Sequence, residues 1–530
     1  MPIWLTPVGV VPKGYLYFQA VFCLLLLFTA TTIMPLTDQL QTIIDSLGSV
    51  GAEGWLALTF CGLLLAELFL IRRGNERQTR TWLTGLTVAG LLVAGALAVS
   101  ETDRGSFFLD LIFLDNQAIL IKGVIAFGAI AVVLWETGVW YPANQERLVN
   151  RRQLPTEWYA LLVALVLGLF LMSMAVNLLS IYLSLELVSI SSYLLTGLVA
   201  DRKASEGGLK YLLFGAVSSA VMLYGMSLLY GLTGTLDITS TVFVVELAKN
   251  GTVALVAGLL TTSGLLFKLS AVPFQIWTPD AYEAAPIPVA AFFSIGPKAA
   301  ALLVLMRLLS AMPVAGMQTP LAVIALASIL IGNLSALRQT DAKRMLAYST
   351  IAQAGFLLVG VTALSDAGFQ AAVFYVATYL FISLAAFFLI DALAPNGSLR
   401  MADFAGLGFT SPLLAVCLTV VAWALTGLPP TVGFTAKLLS FSALFSAYQL
   451  SGNPWLIWLF GLGLANAVIS LFYYLRIPFL LFFRPRINNV PDNLPTRLTI
   501  AQWVALTMTV PPVVVLFLKP GWLLKLITEF

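Results

Sequence analysis

A chain of 530 residues that is 60% hydrophobic and 10% charged, with a mean hydropathy of +0.95, has too little polar surface for a water-soluble protein, which normally carries about 25% charged residues. The net charge of +3, with no basic stripe, gives no argument for nucleic acid, and the absence of histidine excludes histidine-ligated haem and the usual physiological-pH switch. Cys23, Cys61 and Cys417 each stand alone in an apolar run, with no spacing that suits zinc, an iron–sulfur cluster or a disulfide framework.

Apolar runs of roughly 18–25 residues recur along the chain, each long enough to cross a bilayer core of about 30 Å. They predict an all-α polytopic membrane protein of about 15 helices, near 15–34, 54–71, 82–99, 119–140, 157–175, 177–200, 209–232, 251–271, 288–311, 319–336, 345–365, 369–394, 411–449, 455–483 and 501–518. The first run, Tyr15–Met34, follows Lys13 without a clear small-residue cleavage site, so it reads as a retained helix. The run 411–449 is too long for one crossing and contains Gly427-Leu428-Pro429-Pro430 and Gly433, so it reads as one broken helix.

With the spans alternating, basic residues collect on one side, among them Arg72, Arg73, Arg151, Arg202, Lys343 and Arg344. The other side holds only Arg104, Lys249, Lys519 and Lys525. Basic loops face the cytoplasm, which places the N-terminus inside.

Seven basic residues remain in or at the ends of spans: Lys122, Lys210, Lys268, Lys298, Arg307, Lys437 and Arg476. A charge at mid-membrane costs at least about 2.5–3.5 kcal/mol and usually marks an ion path or a buried pair. Lys122, Arg307 and Arg476 lie near span ends, where snorkelling or helix capping accounts for them. Glu136 reads as structural for the same reason, and position alone leaves Glu67 open. Glu186 stands near the middle of Leu178–Leu198, with Tyr182, Ser189 and Tyr193 on its face at helical spacing. Lys298 is near the centre of Pro288–Ala311, Lys268 precedes Pro273 by five residues, Lys437 follows the Pro429-Pro430 break, and Lys210 opens a span one turn after Glu206. These residues suit proton relay: a lysine withdrawn from water gives up its proton more readily, a nearby carboxylate opposes this, and neighbouring sites titrate as a group. Broken helices suit the same role, because freed backbone carbonyls at membrane depth are tolerated only against protein or a water-filled cavity. Buried charges that merely pair are the alternative at each position.

Lys210-Tyr-Leu-Leu and Lys343-Arg-Met-Leu each open a helix and precede a proline-broken helix that bears a lysine. This suggests two five-helix units, 157–311 and 319–483, the second inverted by the odd helix number. Residues 54–156 would precede them, 484–530 would form a C-terminal helix and tail, and 1–53 would be an extra helix and loop.

Four segments carry a resemblance: Phe267–Pro286, Ser184–Tyr193, Lys343–Gln353 and Leu425–Lys437. Together they resemble the antiporter-like subunits of complex I, NADH:quinone oxidoreductase, over roughly 54–518. Within that family the chain is most similar to the N type, since another type has a glutamate where Lys437 stands and a third has a long lateral helix. The resemblance implies the antiporter-like fold and a proton-translocating subunit. Glu186 with Lys210 and Lys268 would load protons in the first half, Lys298 would link the halves, and Lys437 would pass the proton to the periplasmic side. Many relatives have a histidine where this chain has Gln275, so a relay there must use the amide or water. No flavin, nucleotide or iron–sulfur motif is present. NADH, FMN, iron–sulfur clusters and quinone are therefore expected in partner subunits, and no cofactor is expected on this chain. The implied partners are the other antiporter-like and small membrane subunits, the peripheral redox arm indirectly, and the bilayer. The implied location is a bacterial inner membrane, with the thylakoid as the alternative. A multisubunit sodium/proton antiporter and a membrane-bound hydrogenase share the lysine pattern, and a scaffold with paired buried charges stays open as a third reading.

Overall fold

The computed structural model describes residues 36–71, 76–137, 155–199, 201–312, 314–394, 399–485 and 498–529. The expected helix Tyr15–Met34, with Cys23, falls outside them. The chain divides into two units, Met1–Gly48 and Ser49–Phe530. In the first, the described element is helix α1 (Leu36–Asp45).

The second unit opens with α2 (Gly51–Ile71) and α3 (Glu76–Ser100), a hairpin of β1 (Gly105–Phe107) and β2 (Ile112–Leu114), α4 (Asn116–Thr137) and α5 (Glu157–Met174). The hairpin is an addition to the all-α expectation and turns through Phe108, Leu109 and Asp110, all at positive φ. Next come α6 (Leu178–Gly197), α7 (Arg202–Thr233), the short α8 (Thr241–Lys249) and α9 (Gly251–Leu269). Asn177 begins α6 with a capping box and Asp201 caps α7 by accepting from Ala204 N at 2.7 Å. These side chains satisfy amide groups that a helix start leaves without partners.

The expected span 288–311 is interrupted. After α10 (Trp277–Ala284), it forms α11 (Ile287–Phe293) and α12 (Gly296–Ser310), separated at Ser294-Ile295. The signal was readable in Gly296-Pro297, since proline fits only the first turn of the helix it enters. The chain continues through α13 (Val314–Leu337), α14 (Ala342–Thr362), α15 (Asp366–Leu393), α16 (Pro412–Thr426), α17 (Val432–Ser451), α18 (Pro454–Tyr474), α19 (Arg476–Phe483), α20 (Ile500–Leu518) and α21 (Gly521–Glu529).

Among the described residues, thirteen helical segments are long and apolar enough to cross a membrane. The expected break in 411–449 is present as the gap between α16 and α17. The segment Ile287–Ser310 is entirely enclosed by protein, and α14 and α15 nearly so, whereas α3, α7, α18 and α20 keep most of their surface outward. All are apolar on every side, but for different reasons: the first group faces the rest of this chain and the second faces outward from it. The interior helices are therefore the ones that can hold polar side chains away from hydrocarbon.

Two glycines set the α16–α17 break. Gly427 closes α16 at φ +88°, a left-handed conformation that suits glycine. At Gly433 a Cβ would fall 1.9 Å from the Ala424 carbonyl oxygen, so the two half-helices touch backbone to backbone. Gly433→Ala is expected to force them apart and destabilise the protein by about 1–3 kcal/mol. Thermal unfolding of the purified chain in detergent checks this; an unchanged midpoint would show that the contact gives way without cost.

Candidate functional site

Helix α9 stops just past Lys268. Ser270 adopts a left-handed conformation (φ 62°), and the Ala271 amide closes the end by donating to the Leu266 carbonyl at 2.9 Å. Lys268 is 1% exposed. Its ammonium is 3.4 Å from the Tyr211 hydroxyl and 5.4, 5.2 and 5.8 Å from the ring centres of Tyr193, Tyr211 and Phe267. Trp277 stacks on Tyr211 at 3.9 Å and donates to the Phe267 carbonyl at 3.2 Å, which fixes the cage. Aromatic faces stabilise a cation without accepting its proton. Glu186 on α6 is within electrostatic range of Lys268, and its Oε1 is buried without a hydrogen-bond partner. Tyr193, placed on the Glu186 face by helical spacing, forms one wall of the cage.

The segment that follows holds four buried polar atoms without a protein partner: Ser270 Oγ, Gln275 Oε1, Thr278 Oγ1 and Tyr282 OH. Buried polar groups are almost always hydrogen-bonded, to ordered water where protein offers nothing. The break between α9 and α10 therefore has the chemistry of a hydrated stretch.

A polar seam begins at Lys298, which is fully buried on α12 and donates to the Thr350 carbonyl at 2.9 Å. The Thr350 hydroxyl is 3.4 Å from Tyr379 OH. One turn further along α14, Gln353 accepts from Tyr375 OH at 2.5 Å, and its amide donates to Tyr474 OH at 3.0 Å and to the Leu425 carbonyl at 2.9 Å. Lys437 donates to that same Leu425 carbonyl at 3.1 Å and to Thr426 O at 2.6 Å. Its ammonium thus rests on the carbonyl end of the half-helix α16, where a positive charge is favoured. Lys298 and Lys437, 139 positions apart in sequence, each end on a hydrogen-bonded group anchored on α14, at Thr350 and at Gln353 on successive turns. Gln353, Tyr375, Tyr379 and Tyr474 were not singled out from sequence, because an amide or a tyrosine in an apolar run is not unusual there; only their convergence marks them.

Lys210 is placed elsewhere. It is 41% exposed and pairs with Glu206 at 2.9 Å, as its spacing allowed, and with Asp280 at 2.8 Å. Arg344 bridges Asp280 at 3.2 Å and also pairs with Glu283. With Lys203 these groups line an open pocket between α7, α10 and α14. The structure places the expected partners Lys210, Glu186 and Lys268 differently: Glu186 lies within electrostatic range of Lys268, and Lys210 sits at a charged mouth. The reason is its place in the first turns of α7, at the end of the bundle.

Four other positions depart from expectation or refine it. Lys122 does not snorkel: it is fully buried between Glu53 at 2.9 Å and Glu101 at 3.3 Å. Lys343, sorted with the loop cations, is 6% exposed and donates to the carbonyls of Glu283, at 3.0 Å, and Ala285, capping the end of α10. Arg307 does cap, donating to Ser173 O at 2.7 Å beyond its ion pair with Asp115. Glu67, left open by position, accepts from Thr156.

Fold and site together define a polytopic membrane protein that holds ionisable side chains on broken helices in its interior. A family model described as NADH:quinone oxidoreductase/Mrp antiporter, transmembrane, matches residues 175–470. A curated relative, NADH-quinone oxidoreductase subunit N of Anaeromyxobacter sp. (strain Fw109-5), is 38% identical over 479 residues, covering 85% of this chain and 90% of that protein. NAD(P)H-quinone oxidoreductase subunit 2 of Gloeothece citriformis (strain PCC 7424) is 38% identical over 440 residues, covering 81% and 82%. Among solved structures, a chain of respiratory complex I from Thermus thermophilus with bound aureothin superposes with a TM-score of 0.72 at 28% identity, covering 89% of this chain and 98% of that one. The chain belongs to the NADH:quinone oxidoreductase/Mrp antiporter transmembrane family.

Proposed function

We propose that this chain is the N-type, proton-translocating membrane subunit of an NADH:quinone oxidoreductase. The observation that carries the reading is the run of buried lysines on broken helices, in a chain similar along most of its length to subunit N of that enzyme. It works as one subunit of a multisubunit membrane complex. Electron transfer from NADH to quinone takes place in partner subunits that hold FMN and iron–sulfur clusters. Neighbouring antiporter-like and small membrane subunits transmit the drive to this chain.

Protons enter at the mouth where Lys210 faces Asp280 and Glu206. Glu186 and Lys268 form the loading pair: changing the charge state or position of Glu186 changes how firmly Lys268 holds its proton. The hydroxyl-bearing segment from Ser270 to Tyr282, with water, connects Lys268 towards Lys298. Lys298 links the halves, and the Gln353–tyrosine seam leads to Lys437, which releases on the far side. The basic loops favour a cytoplasmic mouth, and the bacterial relatives favour a bacterial inner membrane.

Affinity purification of the tagged chain from its native membrane tests the reading. The expected result is co-purification of flavin, iron–sulfur clusters and NADH-dependent quinone reductase, with NADH-driven proton uptake by inverted vesicles. Recovery with other membrane subunits but no redox subunits, together with sodium-dependent proton exchange, would replace it with the multisubunit sodium/proton antiporter.

A further inference from the structure

Three ionisable side chains outside the proposed path meet in one buried place. Glu53 stands in the first turn of α2, Glu101 just past the end of α3, and Lys122 in the second turn of α4. The Lys122 ammonium is 2.9 Å from Glu53 and 3.3 Å from Glu101, and the side chains are 0%, 5% and 9% exposed for Lys122, Glu53 and Glu101. The Phe170 ring covers the ammonium from α5 at 5.8 Å. These residues precede the segment that the family model matches, 175–470.

Their end of the bundle follows from connectivity. Glu67, near the far end of α2, accepts from Thr156 at the start of α5, while Ser180 at the start of α6 donates to Leu111 in the hairpin that follows Glu101. The charged mouth at Lys210 begins after α6 has crossed back. The Glu53–Glu101–Lys122 cluster is therefore at the end opposite to that mouth.

The charge balance is incomplete. Fully ionised, the cluster carries two negative charges against one positive, out of water. Two carboxylates at one buried site do not both ionise readily, and such a group titrates as a unit. The other charges nearby do not cancel the excess: Arg104 is committed to Asn116 Oδ1 at 2.7 Å and to the Glu101 carbonyl at 2.6 Å, and Asp115 pairs with Arg307 at 2.9 Å. Both Glu53 oxygens and Glu101 Oε1 are buried without a hydrogen bond of ordinary geometry. One added proton supplies both needs, since it removes the excess charge and turns an acceptor into a donor.

We propose that Glu53, Glu101 and Lys122 form a proton-binding site, holding one exchangeable proton at the end of the protein opposite the Lys210 mouth. The proton is shared between the two carboxyl groups that face the Lys122 side chain. A small metal cation fits less well, because the ammonium already occupies the point where the carboxylates converge. The inference does not depend on the electron donor.

Burial holds the Glu101 carboxyl above the usual carboxylate range, against the pull of Lys122, and Glu53 adds to the rise. A raised folded value means that the folded protein binds this proton more tightly than the unfolded chain. The resulting stability is complete below the ordinary carboxyl value and is lost as pH rises through the folded one.

The test is infrared spectroscopy of the intact complex in membranes, following the carbonyl stretch of protonated carboxylic acids through a pH titration. At neutral pH the wild type is expected to show a protonated carboxyl that Glu101→Gln and Glu53→Gln each remove, with Glu101→Gln also flattening the loss of stability as pH rises above the ordinary carboxyl value. If either glutamine variant fails to assemble, Glu53→Asp and Glu101→Asp keep the charge and assign the band by shifting its frequency. A neutral-pH spectrum with no protonated carboxyl, or one whose bands none of these variants alters, overturns the proposal and leaves an ionised structural clamp.

Discussion

Replacing Lys268 by alanine is expected to lower NADH-driven quinone reduction and proton uptake together, by at least about tenfold, in a complex that still assembles. A tenfold loss corresponds to about 1.4 kcal/mol on the rate-limiting barrier. The expectation follows from what surrounds the ammonium. Its neighbours are the faces of Tyr193, Tyr211 and Phe267 and one hydroxyl at 3.4 Å, none of which can take over as a basic group near neutral pH. Glu186 would lose the cation that it acts on. Alanine also leaves a cavity, so Lys268→Met, which fills the site, separates packing from chemistry: both variants should pump equally poorly while methionine assembles better. Normal rates in both, measured on inverted vesicles after assembly is confirmed, would show that Lys268 is structural or bypassed and would overturn the mechanism at its central residue.

The second large effect is expected at Lys437, where two substitutions separate proton carriage from fixed charge. Lys437→Met removes the donor to Thr426 O, while Leu425 O keeps the Gln353 amide at 2.9 Å. One carbonyl is thereby stranded, at a cost of about 1–3 kcal/mol. Lys437→Arg restores a cation and its donors, but a guanidinium is not deprotonated in proteins. The arginine variant should therefore assemble better than the methionine variant and pump no faster, with proton uptake at least about tenfold below wild type. Proton uptake restored to the wild-type rate by arginine would show that Lys437 serves as a fixed charge on the end of α16, and the proton would have to leave by another group.

Much of the architecture was readable because the bilayer restricts it so strongly. A run such as Pro454–Tyr474 has one stable form in hydrocarbon, a helix with all its backbone bonds internal. The break at Gly427-Leu428-Pro429-Pro430 was legible because proline and glycine act locally on the backbone. The second interruption, at Ser294-Ile295, carries the same kind of signal in Gly296-Pro297, but the apolar run around it is otherwise continuous and reads as one span. Lysines within spans stood out because their insertion cost needs a reason.

Sequence alone thus determined the membrane class, most of the helical spans among the described residues, the break beside Lys437 and the set of ionisable residues that required explanation, since each follows from hydropathy or local backbone chemistry. Tertiary structure decided how those residues are grouped. Lys122 and Lys210 occupy similar positions near helix ends in the sequence, yet the first is enclosed between Glu53 and Glu101 and the second is open at a mouth with Asp280. Lys298 and Lys437 both reach α14 only because that helix places Thr350 and Gln353 between them, on successive turns. Charge partners belong to different helices far apart in the chain, and the hydropathy that makes a helix span the bilayer is nearly the same on all its faces. It therefore carries little information about which neighbour each face will meet.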